Sequence, residues 1–398
     1  MDNALKPLRL EIQGWRGISH SYALVNQFQW LAWHRLSLGP IQHVDVPFEY
    51  PHWQQGGVEA GLSKEDLSVL GLGHEIFEPE ASYRIFSPLV VPPTLSLPTL
   101  TFAVTEIGLE SVILKVNDFT GYAHAGGAFH TPSHWSKARL VEAGIDEASI
   151  AVIPHGVDKR YFYPLSDAQI KQQRLALGFS EEDVVLLNVG TPVFAKGIDI
   201  LLKGFVNARQ AKPNLRLMLK DQVSMYQSSA RQTVLPYLKS IGNLREDDVS
   251  AIRMIEQNLS LEQLNMLYNM ADVYVAPYRA EGFNLPAFEA LSVGTPVIVT
   301  KGGASDDYLG SNWPGQISAT LQRDSQTLRD AETVYLEPDL DHLSALLKAS
   351  HRKPPVQPGA DRSNAVLHQG PLGPVGPAVT RTWEQVALEL HDRLRALC

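Results

Sequence analysis

Short runs rich in Val, Ile and Leu recur along this chain, and between them lie stretches whose apolar residues fall at helical spacing. Strands buried on both faces read as continuous apolar runs, and parallel neighbours need a crossover segment between them, so this alternation selects an α/β fold with parallel sheets. In the first half LRLEIQGW reads as strand one, RGISHS as its loop, and about Tyr22 to His34 as a helix. SYRIFSPLVV, PTLTFAVTE and GAFHTPS read as later strands. From Asp183 the pattern is regular: DVVLLNVG, LRLMLKD, IRMIEQ, DVYVAPY and TPVIVT are strands, separated by GIDILLKGFVNARQ, LEQLNMLYNMA and LPAFEALSV as helices. A length of 398 residues suits two such units.

The expected domains are 1–157 and 158–352, both Rossmann-like, with a hinge at Pro154-His155-Gly156 in IAVIPHGVDKRYFYPLSDAQ. Residues 353–377 are dense in Pro and Gly and read as an irregular connection. Residues 378–398 return to an amphipathic period, giving a terminal helix expected to pack back on the N-terminal domain.

Composition narrows the function. A hydrophobic share of 44% with 19% charged residues fits a globular chain. No run approaches the ~20 apolar residues of a membrane span, and the start MDNALKPLRLEIQGW has no signal-peptide pattern, so a cytoplasmic protein is expected. The only cysteine is Cys398, which excludes an internal disulfide or a cysteine metal cage. A net charge of −9 argues against nucleic acid as a partner. Residues 1–155 hold 9 Lys and Arg against 16 Asp and Glu, which argues against contact with anionic lipid. Oligomeric state leaves no mark on the sequence.

The chemistry concentrates in ADVYVAPYRAEGFNLPAFEALSVGTPVIVT. A strand ending near Tyr278 leads to a loop with Glu281, and Pro286 suits the first position of a helix. Leu285, biased away from helical dihedrals by that proline, is the expected cap. The first amides of the helix, with the N–H groups of Gly282, Phe283 and Asn284, form a place for phosphate. Glu281 and Glu289 flank it, eight residues apart, or roughly 12 Å at helical rise. They could accept hydrogen bonds from sugar and ribose hydroxyls; acids near a helix start are also favoured without any ligand. Lys196 follows the strand and loop that end in GTPVFA, where a cation faces the ligand crevice of an α/β sheet.

The Glu-x7-Glu pair in EGFNLPAFEALSVGTPVI resembles the signature of the retaining GT-B glycosyltransferases of family GT4. HTPSHWSKARLVEAGI, IPHGVD and LLNVGTPVFAKGIDILLKGF are similar to further pieces of that family, in the same order. The resemblance implies two facing Rossmann-like domains, with a UDP- or GDP-linked sugar bound by the second and a hydroxyl acceptor (a glycan, a lipid-linked glycan or a small molecule) held by the first. It implies transfer with retention and without a metal or other cofactor. It assigns Glu281 to the donor sugar, Glu289 to the ribose and Lys196 to the diphosphate. Where the family often carries arginine after the loop glycine, Gly190 is followed by Thr191. Leaving-group charge then falls to Lys196 alone, or to Lys220 as a second cation.

In the first domain the loop Trp15 to Ser21 lacks a dinucleotide fingerprint, and Gly17, His20 and, after a later strand, Glu106 are candidate contacts for acceptor or donor. His130 and His134 are four apart with Pro132 between them, which argues against a metal site. Asp339-Leu340-Asp341 reads as helix-start acids. A nucleotide-sugar epimerase of the same fold, or a non-catalytic nucleotide-sugar-binding protein, shares this pattern of residues and stays open at this point.

Overall fold

A computed structural model describes residues 6–53, 62–73, 76–222, 225, 230–310, 312–324, 332–353 and 381–398. The chain divides into two units: the first runs to Asp158 and takes in 323–334 and 381–398, the second runs from Lys159 to Gln322 and resumes at Tyr335. All but the first residue of the expected Pro/Gly-rich connection, 353–377, lies outside the described residues.

The sheet of the first unit has β1 (Leu10–Gly14), β2 (Ile41–Asp45), β3 (Ala81–Ile85), β4 (Thr99–Phe102), β5 (Gly127–Thr131) and β6 (Ile150–Val152) in the order β2-β1-β3-β4-β5-β6. Every pair is parallel. β4 and β5 are buried along their whole length, as strands covered by helices on both faces must be. β2 is the strand that the apolar-run reading passes over. Its sequence IQHVD carries a buried histidine, which stacks on Trp30 with ring centroids 5.2 Å apart and lies 3.1 Å from the Asn26 amide. Polar burial of that kind breaks the periodic signal.

The first helix covers Ser21–Arg35, one residue longer at each end than expected. Against it lies the last helix, Trp383–Arg395. Trp383 is buried and stacks on Phe28 at 5.7 Å, and Arg35 donates to Glu384 at 2.8 Å. Gly156 touches the start of this helix so closely that a Cβ there would lie 2.4 Å from the Thr382 carbonyl carbon. Arg381 donates to the Pro154 carbonyl at 2.9 Å. Pro154, His155 and Gly156, expected at a hinge, are thus fastened inside the first unit, and the division falls after Asp158.

The sheet of the second unit contains β7 (Val184–Val189), β8 (Leu215–Lys220), β9 (Ile252–Ile255), β10 (Val273–Ala276), β11 (Val297–Thr300) and β12 (Gln316–Ile317). Its order is β12-β11-β10-β7-β8-β9, again parallel throughout. The core forms where Ile198, Leu201, Leu202 and Phe205 of the helix Ile198–Arg209 meet Leu186, Leu217 and Val275 of the strands. β13 (Ala319–Asp324) and β14 (Thr333–Pro338) pair as a separate ribbon. The helix Leu340–Ala349 then starts on Asp339, whose carboxylate accepts from the His342 amide at 2.7 Å. Among the described residues, no helix is long and apolar enough to cross a membrane.

Trp383 is a buried apolar anchor of the last helix. Trp383→Ala should cost the first unit about 3–5 kcal/mol, the range for emptying a buried aromatic site, read as a lower midpoint in urea denaturation. A midpoint equal to wild type counts against that anchoring role.

Candidate active site

In the second sheet the strand order reverses between β7 and β10, and an open α/β sheet places its ligand crevice outside the strand ends at such a point. The loops that leave these two strands run together. Ala195 of the β7 loop accepts hydrogen bonds from the Arg279 amide at 2.7 Å and the Ala280 amide at 3.1 Å. Gly197, with φ +64°, closes the short 3-10 turn Phe194–Lys196, and a Cβ on it would lie 1.9 Å from the Pro277 carbonyl oxygen. Only glycine permits both that dihedral and that approach.

This junction brings Lys196 to Glu281: Nζ lies 2.8 Å from Oε2, and both side chains keep partial solvent access. Beyond Glu281 the chain turns through Gly282, Phe283 and Asn284 into the helix Leu285–Ser292. The ring of Phe283 is buried against Phe288 and Tyr308, with centroids 5.3 and 5.2 Å away, and this holds the turn. The expected cap at Leu285 is corrected here. Asn284 is the cap, at φ 68° and ψ 61°, with Oδ1 3.4 Å from the Ala287 amide, and Leu285 is the first helical residue with Pro286 second. Asparagine tolerates the left-handed region and carries a capping oxygen, whereas leucine has neither property. Asn284 Nδ2 is buried and has no hydrogen-bond partner among the described residues.

Glu289 sits one turn into this helix and accepts a 2.6 Å hydrogen bond from the hydroxyl of Tyr268. Burial raises its carboxyl from an ordinary 4.5 to about 7, against the opposing pull of the Tyr268 bond. Gly190, at φ +150°, ends β7 with its amide bonded to the Lys220 carbonyl at 2.9 Å, and Thr191 accepts from Val193 at 2.8 Å to start the loop. Lys220 itself is buried, and its ammonium donates to the Asp221 carbonyl. Burial lowers its pKa, with the charge of Asp221 opposing.

The first unit places its candidates at the same edge of its own sheet, after β1 and β4. Gly17, at φ +74°, donates its amide to Gln27 Oε1 at 2.6 Å, so that N–H is committed internally. His20 caps the first helix by accepting from the Tyr22 amide at 3.2 Å and packs edge-on against Trp15 at 5.1 Å. Burial pushes its imidazole down to about 4, so it is neutral at pH 7. Glu106 offers its carbonyl to Trp135 Nε1 at 2.7 Å, and its charge helps to raise the pKa of the Tyr22 hydroxyl, after burial. His130 is wholly buried beside Tyr83, whose hydroxyl lies 3.0 Å from Nε2.

Sequence reading misses the support under these residues. Arg279, Asp199 and Glu337 form one ion-paired group, yet they lie 80 and 58 residues apart and no spacing rule joins them. The signal within reach was an arginine two residues before Glu281, in a loop otherwise without cations. Tyr268, the partner of Glu289, stands in a helical run that reads as ordinary core.

Between 4.5 and about 7 the folded protein holds a proton on Glu289 that the unfolded chain has released. Stability from this group therefore falls as pH rises through that window, and the cost is complete above it. Glu289→Gln should melt higher than wild type at pH 8.5, by ~2–4 °C per kcal/mol recovered, and the gain should vanish near pH 4. A gain independent of pH in calorimetric scans contradicts this.

Residues 169–326 match the family Glycosyl transferases group 1. Mannosylfructose-phosphate synthase of Agrobacterium fabrum is 32% identical over 164 residues, which are 40% of this chain and 34% of that protein. D-inositol 3-phosphate glycosyltransferase of Segniliparus rotundus is 29% identical over 195 residues, 44% of this chain and 40% of that protein. The matches thus span about a third to two fifths of the length of these curated relatives. Two solved structures resemble the fold over nearly its whole length. Anabaena Alr3699/HepE in complex with UDP and glucose has a TM-score of 0.65 at 12% identity, covering 98% of this chain and 100% of that one. Sucrose-phosphate synthase of Thermosynechococcus elongatus has a TM-score of 0.66 at 15% identity, covering 98% and 99%. The α/β architecture is shared with these two solved structures, and residues 169–326 are similar to the glycosyl transferases of group 1.

Proposed function

We propose that this protein transfers a hexosyl group from a nucleoside-diphosphate sugar to an acceptor hydroxyl, with retention of configuration and without a metal. The observation that carries the reading is the Lys196–Glu281 pair at the strand-order reversal, followed directly by the turn and helix start at Gly282–Leu285. Relatives named as glycosyltransferases and a neighbour holding UDP and glucose support a donor of this class.

In this reading Lys196 and the amides of the turn stabilise the charge that grows on the departing diphosphate. An ammonium has three N–H donors, so Lys196 can hold Glu281 and still reach a phosphate oxygen. Asn284 Nδ2 supplies a further buried donor that a ligand oxygen would satisfy. Glu281 accepts from sugar hydroxyls and Glu289 from the ribose. The bond from the anomeric carbon to the phosphate oxygen breaks as the bond to the acceptor oxygen forms on the same face. The acceptor proton passes to the leaving phosphate oxygen, so no protein nucleophile is needed. Thr191 leaves Lys196 as the principal side-chain cation on the diphosphate, since Lys220 is turned to Asp221. Acceptor contacts are assigned to the first unit, with His20 and Glu106 as candidates. The proposed setting is the cytoplasm.

Thermal-shift screening with UDP- and GDP-sugars should identify the donor, because a ligand that binds only the folded state raises its melting temperature. With that donor, Lys196→Ala and Glu281→Ala should fold normally and lose both sugar transfer and donor hydrolysis; wild-type rates in both would falsify the assignment. Glu289→Ala should weaken donor binding by about 1.5–3 kcal/mol, as for loss of a hydrogen bond to a charged group, measured by titration calorimetry.

A further inference from the structure

Arg279 stands two residues before Glu281 and is buried, a costly place for a charge without compensation. Its guanidinium uses every donor it has. Nη1 and Nη2 reach the two oxygens of Asp199 at 2.8 and 2.9 Å. Nε and Nη2 reach the two oxygens of Glu337 at 2.7 and 3.0 Å. The fifth N–H, on Nη1, goes to the Phe194 carbonyl at 3.2 Å, and the group lies 4.3 Å from the centre of the Phe194 ring. An arginine has five N–H groups in a fixed fork, so none is left for a ligand.

The carboxylates that anchor it belong to different elements. Asp199 lies in the first turn of the helix Ile198–Arg209, where a negative charge is favoured, and Glu337 lies in β14. Burial works against the Asp199 carboxylate, but its bond and charge interaction with Arg279 outweigh that and hold its pKa below the ordinary value. The Arg279 backbone joins in: its amide donates to Ala195 and its carbonyl accepts from Leu336 at 2.8 Å. Phe194, Ala195 and Lys196 form one turn, and Arg279 grips the first two from side chain and backbone.

We propose that Arg279 is a positioning residue for Lys196, fixing the turn from which the lysine reaches the diphosphate. This rests on the assignment of Lys196 to that diphosphate. A lysine at 279 would keep the charge but cannot reproduce a fork shared between two carboxylates and a carbonyl.

The test uses Arg279→Lys, which keeps a positive charge at this position, and two measurements. In hydrogen exchange, the Lys196 and Gly197 amides, bonded to the Val193 and Phe194 carbonyls, should exchange at least about tenfold faster than in wild type, with β8 unchanged. In calorimetry with UDP and with GDP, Arg279→Lys should lower the affinity of whichever nucleotide binds by about tenfold, and should lower it no further once Lys196 is alanine. Unchanged exchange at Lys196 and Gly197, or an equal loss of affinity with and without Lys196, overturns the proposal. If Lys196→Ala alone leaves both affinities intact, the diphosphate assignment fails instead, and the exchange result still decides whether Arg279 fixes the turn. Should Arg279→Lys not fold, Glu337→Gln, which removes one of the two anchors, is read in the same way.

Discussion

Two backbone segments meet at the carbonyl of Ala195, and the geometry of the candidate site follows from that meeting. Amides from Arg279 and Ala280 converge on one oxygen, and the Pro277 carbonyl presses against Gly197 where no side chain could fit. The loop after β7 and the loop after β10 are therefore one object rather than two. Lys196 projects from one part of it and Glu281 from the other, so their 2.8 Å contact is set by main-chain bonds before either side chain chooses a rotamer. A site built on such a junction holds its charges in place without reorganising at the moment of reaction.

Electrostatics in this region is uneven in a way that bears on the proposed diphosphate site. Arg279 is neutralised by Asp199 and Glu337, and Lys220 is buried against a carbonyl. The proposed reading therefore places the charge that meets the diphosphate on Lys196, which keeps partial solvent access beside Glu281. Glu289 lies further along the helix, in a setting that keeps its carboxyl close to half-protonated at neutral pH. The ribose role proposed for it uses that carboxyl as an acceptor or donor toward a hydroxyl.

Strands β7 to β11 were legible because Val, Ile and Leu dominate them, whereas β12, only two residues long, was not. Lys196 and Glu281 were legible because they follow β7 and β10, and Glu289 because of its spacing from Glu281. Legibility failed where burial was polar. β2 hides a histidine under Trp30, and the helix start at Asn284 was missed because Pro286 reads as the first helical residue when it occupies the second position. It failed again for Arg279, Asp199 and Glu337, whose association is a matter of three-dimensional closure over long separations. In the first unit the loops hold the candidate contacts, and Gly17 shows why loops resist reading: the glycine adopts the positive φ that invites a ligand, yet its amide serves Gln27.

The last helix has a consequence for how the molecule is made. It lies against the first helix of the chain, with Trp383 on Phe28 and Glu384 on Arg35. A ribosome delivers the whole of the second unit before it delivers that partner, so the surface around Phe28 must wait uncovered while the intervening residues emerge. Dissecting the gene at the end of the first contiguous stretch would leave the same surface bare, and the N-terminal segment prepared that way would be a poor guide to the intact protein.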